Sequence, residues 1–139
     1  MDAGFVVDNS VVMAWCFKDQ ANDYADSVLE KLTDEAACVH SIWPLEVVNV
    51  LVGAERKKYI READSVRFIT LLSELPISVE NESPEKTMKE LLGLARAHHL
   101  SSYDASYLEL AMRKGLPLAT LDDKLRKAAV HTNVLILAD

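Results

Sequence analysis

Short apolar runs, too brief for helices, alternate along this chain with longer segments whose apolar residues recur every three to four positions. Gly4-Phe5-Val6-Val7 is such a run, closed by Asp8, and Ala37-Cys38-Val39-His40, Ile77-Ser78-Val79, Leu118-Ala119-Thr120 and Val134 to Leu137 repeat the pattern. Between them, Ala21, Tyr24, Ala25, Val28, Leu29 and Leu32 form an amphipathic stripe, so 21–33 is expected to be helical. The same periodicity marks 62–75 and 85–99, and Asn9-Ser10 opens a short apolar helix from Val11 to Phe17. Ser101 or Ser102 caps a helix through Lys114, where Gly115 stops it, and a last helix runs from Asp123 to Val130. Trp43 to Ala54 reads two ways: its valines suggest a strand, while its length and Pro44 in a first-turn position favour a helix.

Strand–helix alternation is the pattern of a parallel sheet covered on both faces. The expected fold is therefore α/β, a three-layer α/β/α arrangement around a central parallel sheet. Its 139 residues carry no linker or repeat, so residues 1–139 are read as a single domain. Half of the residues are hydrophobic but only 6% are aromatic, which implies an aliphatic core.

No apolar stretch approaches the roughly 20 residues that span a bilayer, and Met1-Asp2-Ala3-Gly4 lacks the basic start of a secretory signal. Cys16 and Cys38 sit in apolar runs without zinc or redox spacing and are read as reduced core thiols of a cytoplasmic protein. The net charge of −7 argues against the simplest kind of nucleic-acid binder, one that advertises itself by a basic surface. Basic residues nonetheless cluster, at Arg56-Lys57-Lys58 with Arg61, at Arg113-Lys114 and at Lys124, Arg126 and Lys127.

Ligand crevices of open α/β sheets lie beyond the carboxyl ends of the strands. Asp8 ends the first strand, Asp122 enters a helix just past the fourth, Glu46 lies in the first turn after the second strand, and Asp104 opens its own helix. Singly, each has a plain explanation, because acids stabilise helix first turns and Asp is a preferred cap. Asp104, however, shares a helical face with Leu108 and Ala111. Glu46 begins a segment that is apolar nearly all round, the signature of a buried helix, where an unpaired carboxylate is costly. Two carboxylates about 5 Å apart repel by about 3 kcal/mol at an effective dielectric near 20. Four in one place call for a cation, and an all-carboxylate set suits Mg²⁺ or Mn²⁺.

Carboxylate-held Mg²⁺ is a standard device for phosphodiester hydrolysis, with one or two ions. Asp8, Asp104 and Asp122 are the expected ligands, and Glu46 binds a second ion or orients the water. Ser10 and Thr120, beside the acids, are candidates to hold a water or a phosphate.

At these residues the sequence resembles a known family. Val6-Val7-Asp8-Asn9-Ser10-Val11, Pro44-Leu45-Glu46-Val47-Val48-Asn49-Val50-Leu51, Leu100-Ser101-Ser102-Tyr103-Asp104-Ala105-Ser106-Tyr107-Leu108 and Leu118-Ala119-Thr120-Leu121-Asp122 look like the acidic motifs of PIN-domain proteins, in order along nearly the whole chain. Within that family it is most similar to the VapC toxins of prokaryotic toxin–antitoxin modules. The resemblance implies a Mg²⁺- or Mn²⁺-dependent endoribonuclease toxin, a homodimer (with a higher assembly in complex), and a cognate VapB-like antitoxin that blocks the site. It assigns the acidic roles to Asp8, Glu46, Asp104 and Asp122, with Asp123 as the competitor for the fourth, and it favours a helix for Trp43 to Ala54. RNA is expected to approach over the carboxyl edge, with Lys124, Arg126 or Lys127 on its backbone.

Two other readings share this pattern. A receiver-type signalling domain also places acids and Mg²⁺ at a sheet edge. It needs a phosphoacceptor Asp on a middle strand and a Lys after the last, but Val79 is followed by Glu80 and Leu137 by Ala138-Asp139. A PIN fold that binds RNA or a partner without cutting is the other.

Overall fold

A computed structural model describes residues 2–139. Met1, the first residue of the stretch compared with a secretory signal, lies outside them. Strand β1 (Ala3–Val7) leads into helix α1 (Asn9–Cys16), a 3₁₀ turn at Lys18–Gln20 and helix α2 (Asp23–Lys31). Strand β2 (Ala36–Val39) is followed by α3 (Trp43–Arg56) and α4 (Glu62–Glu74), and β3 (Ile77–Val79) by α5 (Pro84–His98) and α6 (Ser102–Lys114). Strand β4 (Leu118–Ala119) and helix α7 (Asp123–His131) complete the order.

Local chemistry sets these boundaries. Ser101 accepts the amide hydrogen of Asp104 at 3.1 Å and so caps α6. Gly115 ends that helix in the left-handed conformation (φ 65°), which a residue without a Cβ adopts at little cost. Trp43–Arg56 is a 14-residue helix with Pro44 in its first turn, too long for a typical strand, which settles the ambiguous segment.

All pairings are parallel, in the order β3-β2-β1-β4. β1 is thus interior to the sheet, and Phe5, Val6 and Val7 are fully buried although they point alternately to both faces. Parallel crossovers are almost always right-handed. Stepping from β1 through β2 to β3 therefore puts α1 to α4 on one face, while the return past β1 to β4 puts α5 and α6 on the other. The packing agrees: α1 lies against α2 and α3, and α6 against α5 and α7. Three layers result, as the alternation required.

Two expectations need correction. Val134 to Leu137 is not a strand but a single parallel bridge, Leu118 to Ile136, held by the Leu118 N–H on Leu135 O (2.8 Å) and the Leu137 N–H on Leu118 O (2.9 Å). It meets only the two-residue β4, so no ladder extends. Nor is α3 buried all round: Val47, Leu51 and Ala54 face the core, whereas Leu45 and Val48 are 70% and 48% exposed. The helix has an outward apolar face as well as an inward one. Cys16 and Cys38 are free, and burial pushes both thiols up to about 11, so neither offers a thiolate near neutral pH. No described helix is long and apolar enough to cross a membrane.

Candidate active site at the carboxyl edge of the sheet

The chain leaves β1 toward β2 on one side and later comes back to β4 on the other. In parallel sheets the crevice opens at such a reversal, beyond the carboxyl ends of the two strands. Asp8 stands there, one residue past β1, and its N–H bonds Ala119 O at 3.1 Å. The register pairs Val7 with Ala119, which brings Asp8 level with Thr120.

Asp8 is held on every side. The Thr120 hydroxyl donates to its Oδ2, the Ser10 hydroxyl to Oδ1 at 2.6 Å, and the Val11 N–H to Oδ1 at 3.2 Å, which also caps α1. Both hydroxyls are fixed in turn: Ser10 Oγ accepts the Leu121 N–H and Thr120 Oγ1 the Asp122 N–H, each at 3.0 Å. Ser10 and Thr120 therefore orient Asp8, and their hydroxyl protons are not directed at a water or phosphate. Asp8 is only 2% exposed. Burial raises its carboxyl to about 6; the three hydrogen bonds pull it down and the nearby Asp104 pushes it up again.

The other acids converge on the same place. Asp122 caps α7, its Oδ1 accepting the Leu125 N–H at 2.9 Å. Asp104, in the first turn of α6, is held above the usual carboxylate range by burial first and then by the charges of Asp122 and Glu46. Glu46, in the first turn of α3, receives the Tyr107 hydroxyl on Oε1 at 2.7 Å. His40 Nε2 lies 2.8 Å from the same oxygen, though its N–H is not aligned as a regular hydrogen bond. Asp8, Glu46, Asp104 and Asp122 together line one open cavity of about 320 Å³. Asp123 is exposed and not among the lining residues, which favours Asp122 for the fourth position.

The donor set suits a hard divalent cation: it is all-oxygen and acidic, and Asp8, Glu46, Asp104 and Asp122 share one cavity. Asn9 Oδ1, buried beside the cavity and without a donor, adds a further free acceptor. The side chains are not preassembled, since among the described residues no three acidic, histidine or cysteine groups already stand in the geometry of a coordination shell. Asp8 is the fixed point of the set, and Asp104, Asp122 and Glu46 are more exposed.

Of the basic residues, Lys124 and Lys127 are exposed on α7. Arg126 is committed internally, its Nε donating to Thr120 O at 2.9 Å and its guanidinium lying 4.8 Å over the Tyr24 ring. A second, larger groove of about 1030 Å³ opens between α1 with the 3₁₀ turn and α3–α4, lined by Trp15, Phe17, Tyr59 and Phe68 among others; Gln20 and Val50 line both cavities. Sequence reasoning missed His40 and Tyr107. His40 follows a buried strand at its carboxyl end just as Asp8 does, and Tyr107 is one turn after Asp104, so both carried a readable signal.

A family profile described as the PIN domain matches residues 5–131. Ribonuclease VapC3 of Pyrobaculum aerophilum is 29% identical over 122 residues, 86% of this chain and 90% of that protein. Among solved structures, PAE2754 from Pyrobaculum aerophilum superposes with a TM-score of 0.70 at 22% identity, covering 91% of this chain and 84% of that one. A toxin–antitoxin complex from Klebsiella pneumoniae gives 0.60 at 23% identity, covering 85% and 86%. FitAcB from Neisseria gonorrhoeae gives 0.62 at 16% identity, covering 96% of each. At these identities the superpositions establish the shared fold.

Proposed function

The chain belongs to the PIN-domain family, and from that premise we propose that it is a Mg²⁺- or Mn²⁺-dependent endoribonuclease, the toxin of a toxin–antitoxin pair. The observation that carries the proposal is the convergence of Asp8, Glu46, Asp104 and Asp122 on one cavity at the strand-order reversal. The curated relative named as a ribonuclease supports the reaction class.

Asp8, Asp104 and Asp122 would hold the cation, with Glu46 at its edge or on a second ion. When bound, the ion supplies the Lewis acidity and water activation that phosphodiester hydrolysis requires. Asp8 gives this arrangement a fixed anchor, since its position is set by the Ser10 and Thr120 hydroxyls, the Val11 N–H and the bond of its own N–H to Ala119 O. RNA would lie across the carboxyl edge with its phosphates toward the cavity, and Lys124 and Lys127 are free to meet its backbone. Arg126, already paired within the fold, would contribute positive potential more than direct contact.

An antitoxin partner is supported by the Klebsiella toxin–antitoxin structure of the same fold and by the aromatic groove beside the acids. A peptide segment seated there would reach Gln20 and Val50, the shared wall, and so close the acidic cavity. Homodimerisation is proposed on the outward apolar face of α3, where Leu45 and Val48 are exposed.

The receiver reading is set aside on topology: that fold has strand order 2-1-3-4-5, with β1 next to β3, whereas here β1 lies between β2 and β4. The test of the proposal is incubation of the antitoxin-free protein with total cellular RNA and Mg²⁺ or Mn²⁺, followed by mapping of new ends. Discrete metal-dependent cleavage that disappears in Asp104→Asn is the expected result. RNA binding without cleavage would instead establish the non-cutting module, and undiminished cleavage by Asp104→Asn would remove this cavity from the reaction.

A further inference from the structure

Glu46 differs from Asp8 and Asp122 in how it is held. Those two accept backbone N–H groups. Among the described residues no backbone group bonds the Glu46 carboxylate; two side chains from other elements meet one of its oxygens instead. Tyr107, from α6, donates its hydroxyl to Oε1 at 2.7 Å, and His40, just beyond β2, brings Nε2 to 2.8 Å of the same atom. The His40 and Tyr107 rings pack against each other, centroids 4.2 Å apart, and each residue is about 1% exposed.

The imidazole tautomer follows from its neighbours. The Ile42 N–H points at His40 Nδ1 at 3.2 Å, and an amide hydrogen needs a lone pair opposite it. The proton of the neutral ring is then on Nε2, the atom facing Glu46. That N–H has no other acceptor in the buried pocket. Hydrogen bonds in catalytic sites commonly tighten once the reacting complex forms. Oε1 thus faces two protein donors, whereas Oε2 has none among the described residues.

We infer that His40 and Tyr107 are positioning residues that clamp Glu46 by Oε1 and reserve Oε2 as its single oxygen for the cavity. The inference rests on the proposed metal-dependent reading of that cavity. Its consequence is a division of labour within one carboxylate. With one oxygen occupied, Glu46 meets a cation or an attacking water in one-oxygen fashion, and its direction is set by α6 and β2 rather than by α3, which carries it.

Mn²⁺ binding to the full chain, read from the electron paramagnetic resonance of the free ion, tests this independently of cleavage. Tyr107→Phe removes one hydroxyl and keeps the ring; it is expected to weaken Mn²⁺ binding roughly 10–100-fold, the usual effect of deleting a partner behind a ligand. His40→Leu should act in the same direction, and His40→Gln, which restores an N–H donor, should recover part of the loss. In a Glu46→Gln background Tyr107→Phe should add nothing, because its effect passes through that carboxylate.

Parent-like Mn²⁺ binding by Tyr107→Phe, or an equal weakening with and without Glu46, overturns the clamp. Should thermal melting show His40→Leu to be unfolded, the Tyr107→Phe cycle decides alone. A parent protein that binds no Mn²⁺ overturns the proposed function and the clamp together, an outcome distinct from parent binding with unresponsive variants.

Discussion

Asp8 and Glu46 face the same cavity, yet they are fixed by opposite means. Asp8 is set by the backbone: the strand register aligns it with Thr120, it caps α1 by accepting the Val11 N–H, and Ser10 and Thr120 are themselves pinned by amides of the segment after β4. Glu46 is set by long side chains that reach it from β2 and α6 across the core. The backbone-set acid has almost no freedom and bears the burial cost, with its carboxyl raised to about 6. The side-chain-set acid is part exposed, about 20%, and adjustable. One cavity therefore combines a rigid anchor with a steerable arm, and tests that touch one without the other separate their contributions.

The largest difference is expected between Asp8→Asn and Glu46→Gln. Loss of the anchor's charge should lower cleavage about 100–1000-fold or more, as deletion of a single preorganised electrostatic contact does. Loss of the arm should leave measurable turnover, so single-turnover rates on one RNA substrate rank the two; equal rates would erase the distinction.

Thr120→Val comes next. It keeps the β-branched shape but removes the donor to Asp8 and the acceptor for the Asp122 N–H. Denaturant unfolding should register a loss of about 1–3 kcal/mol, the cost of stranding buried polar groups. Tyr107→Phe, whose partner Glu46 is reached by water, should destabilise less.

A smaller effect concerns pH. An acid whose folded pKa lies above its unfolded value stabilises the fold while protonated, and that contribution fades as pH rises through the folded pKa. For Asp8 the window runs from the unfolded carboxylate range up to about 6, and Asp104 shifts in the same direction. The metal-free protein should thus gain Tm when the buffer moves from about pH 7.5 to about pH 5, and Asp8→Asn should flatten that slope. An unchanged slope would mean that Asp8 does not carry it. Smallest of all, Asp123→Asn should cleave and melt like the parent, because Asp123 is exposed and does not line the cavity.

The same contrast explains what could be read from the sequence. Asp8, Asp104 and Asp122 are legible because their placement is local: each sits at a strand end or helix start, where the pattern of apolar runs already marks the chain. The elements themselves are legible for the same reason, down to the Ser101 cap and the Gly115 stop. For Glu46 the sequence marks a first-turn acid, which the structure places at the cavity, but not its surroundings. The apolar pattern of α3 suggests burial all round, whereas Leu45 and Val48 face outward. His40 and Tyr107 escaped because their partnership spans β2, α3 and α6 and exists only once those elements pack. The terminal strand failed because strand length depends on a neighbour, and β4 offers only two residues.

That two-residue strand has a consequence for how this chain tolerates change. Side chains alternate along a strand, so a shift of one residue turns every one of them to the opposite face. β4 is joined to β1 through the Val6 N–H on Pro117 O and the Asp8 N–H on Ala119 O, with little further ladder to resist a slip. One inserted residue between Pro117 and Thr120 would swing the threonine hydroxyl away from Asp8 and carry Asp122 out of line with it. Lengthening the exposed turn around Lys57–Tyr59 would disturb none of these bonds. In a gene that drifts by small insertions and deletions, the segment after Gly115 is where length itself is under constraint.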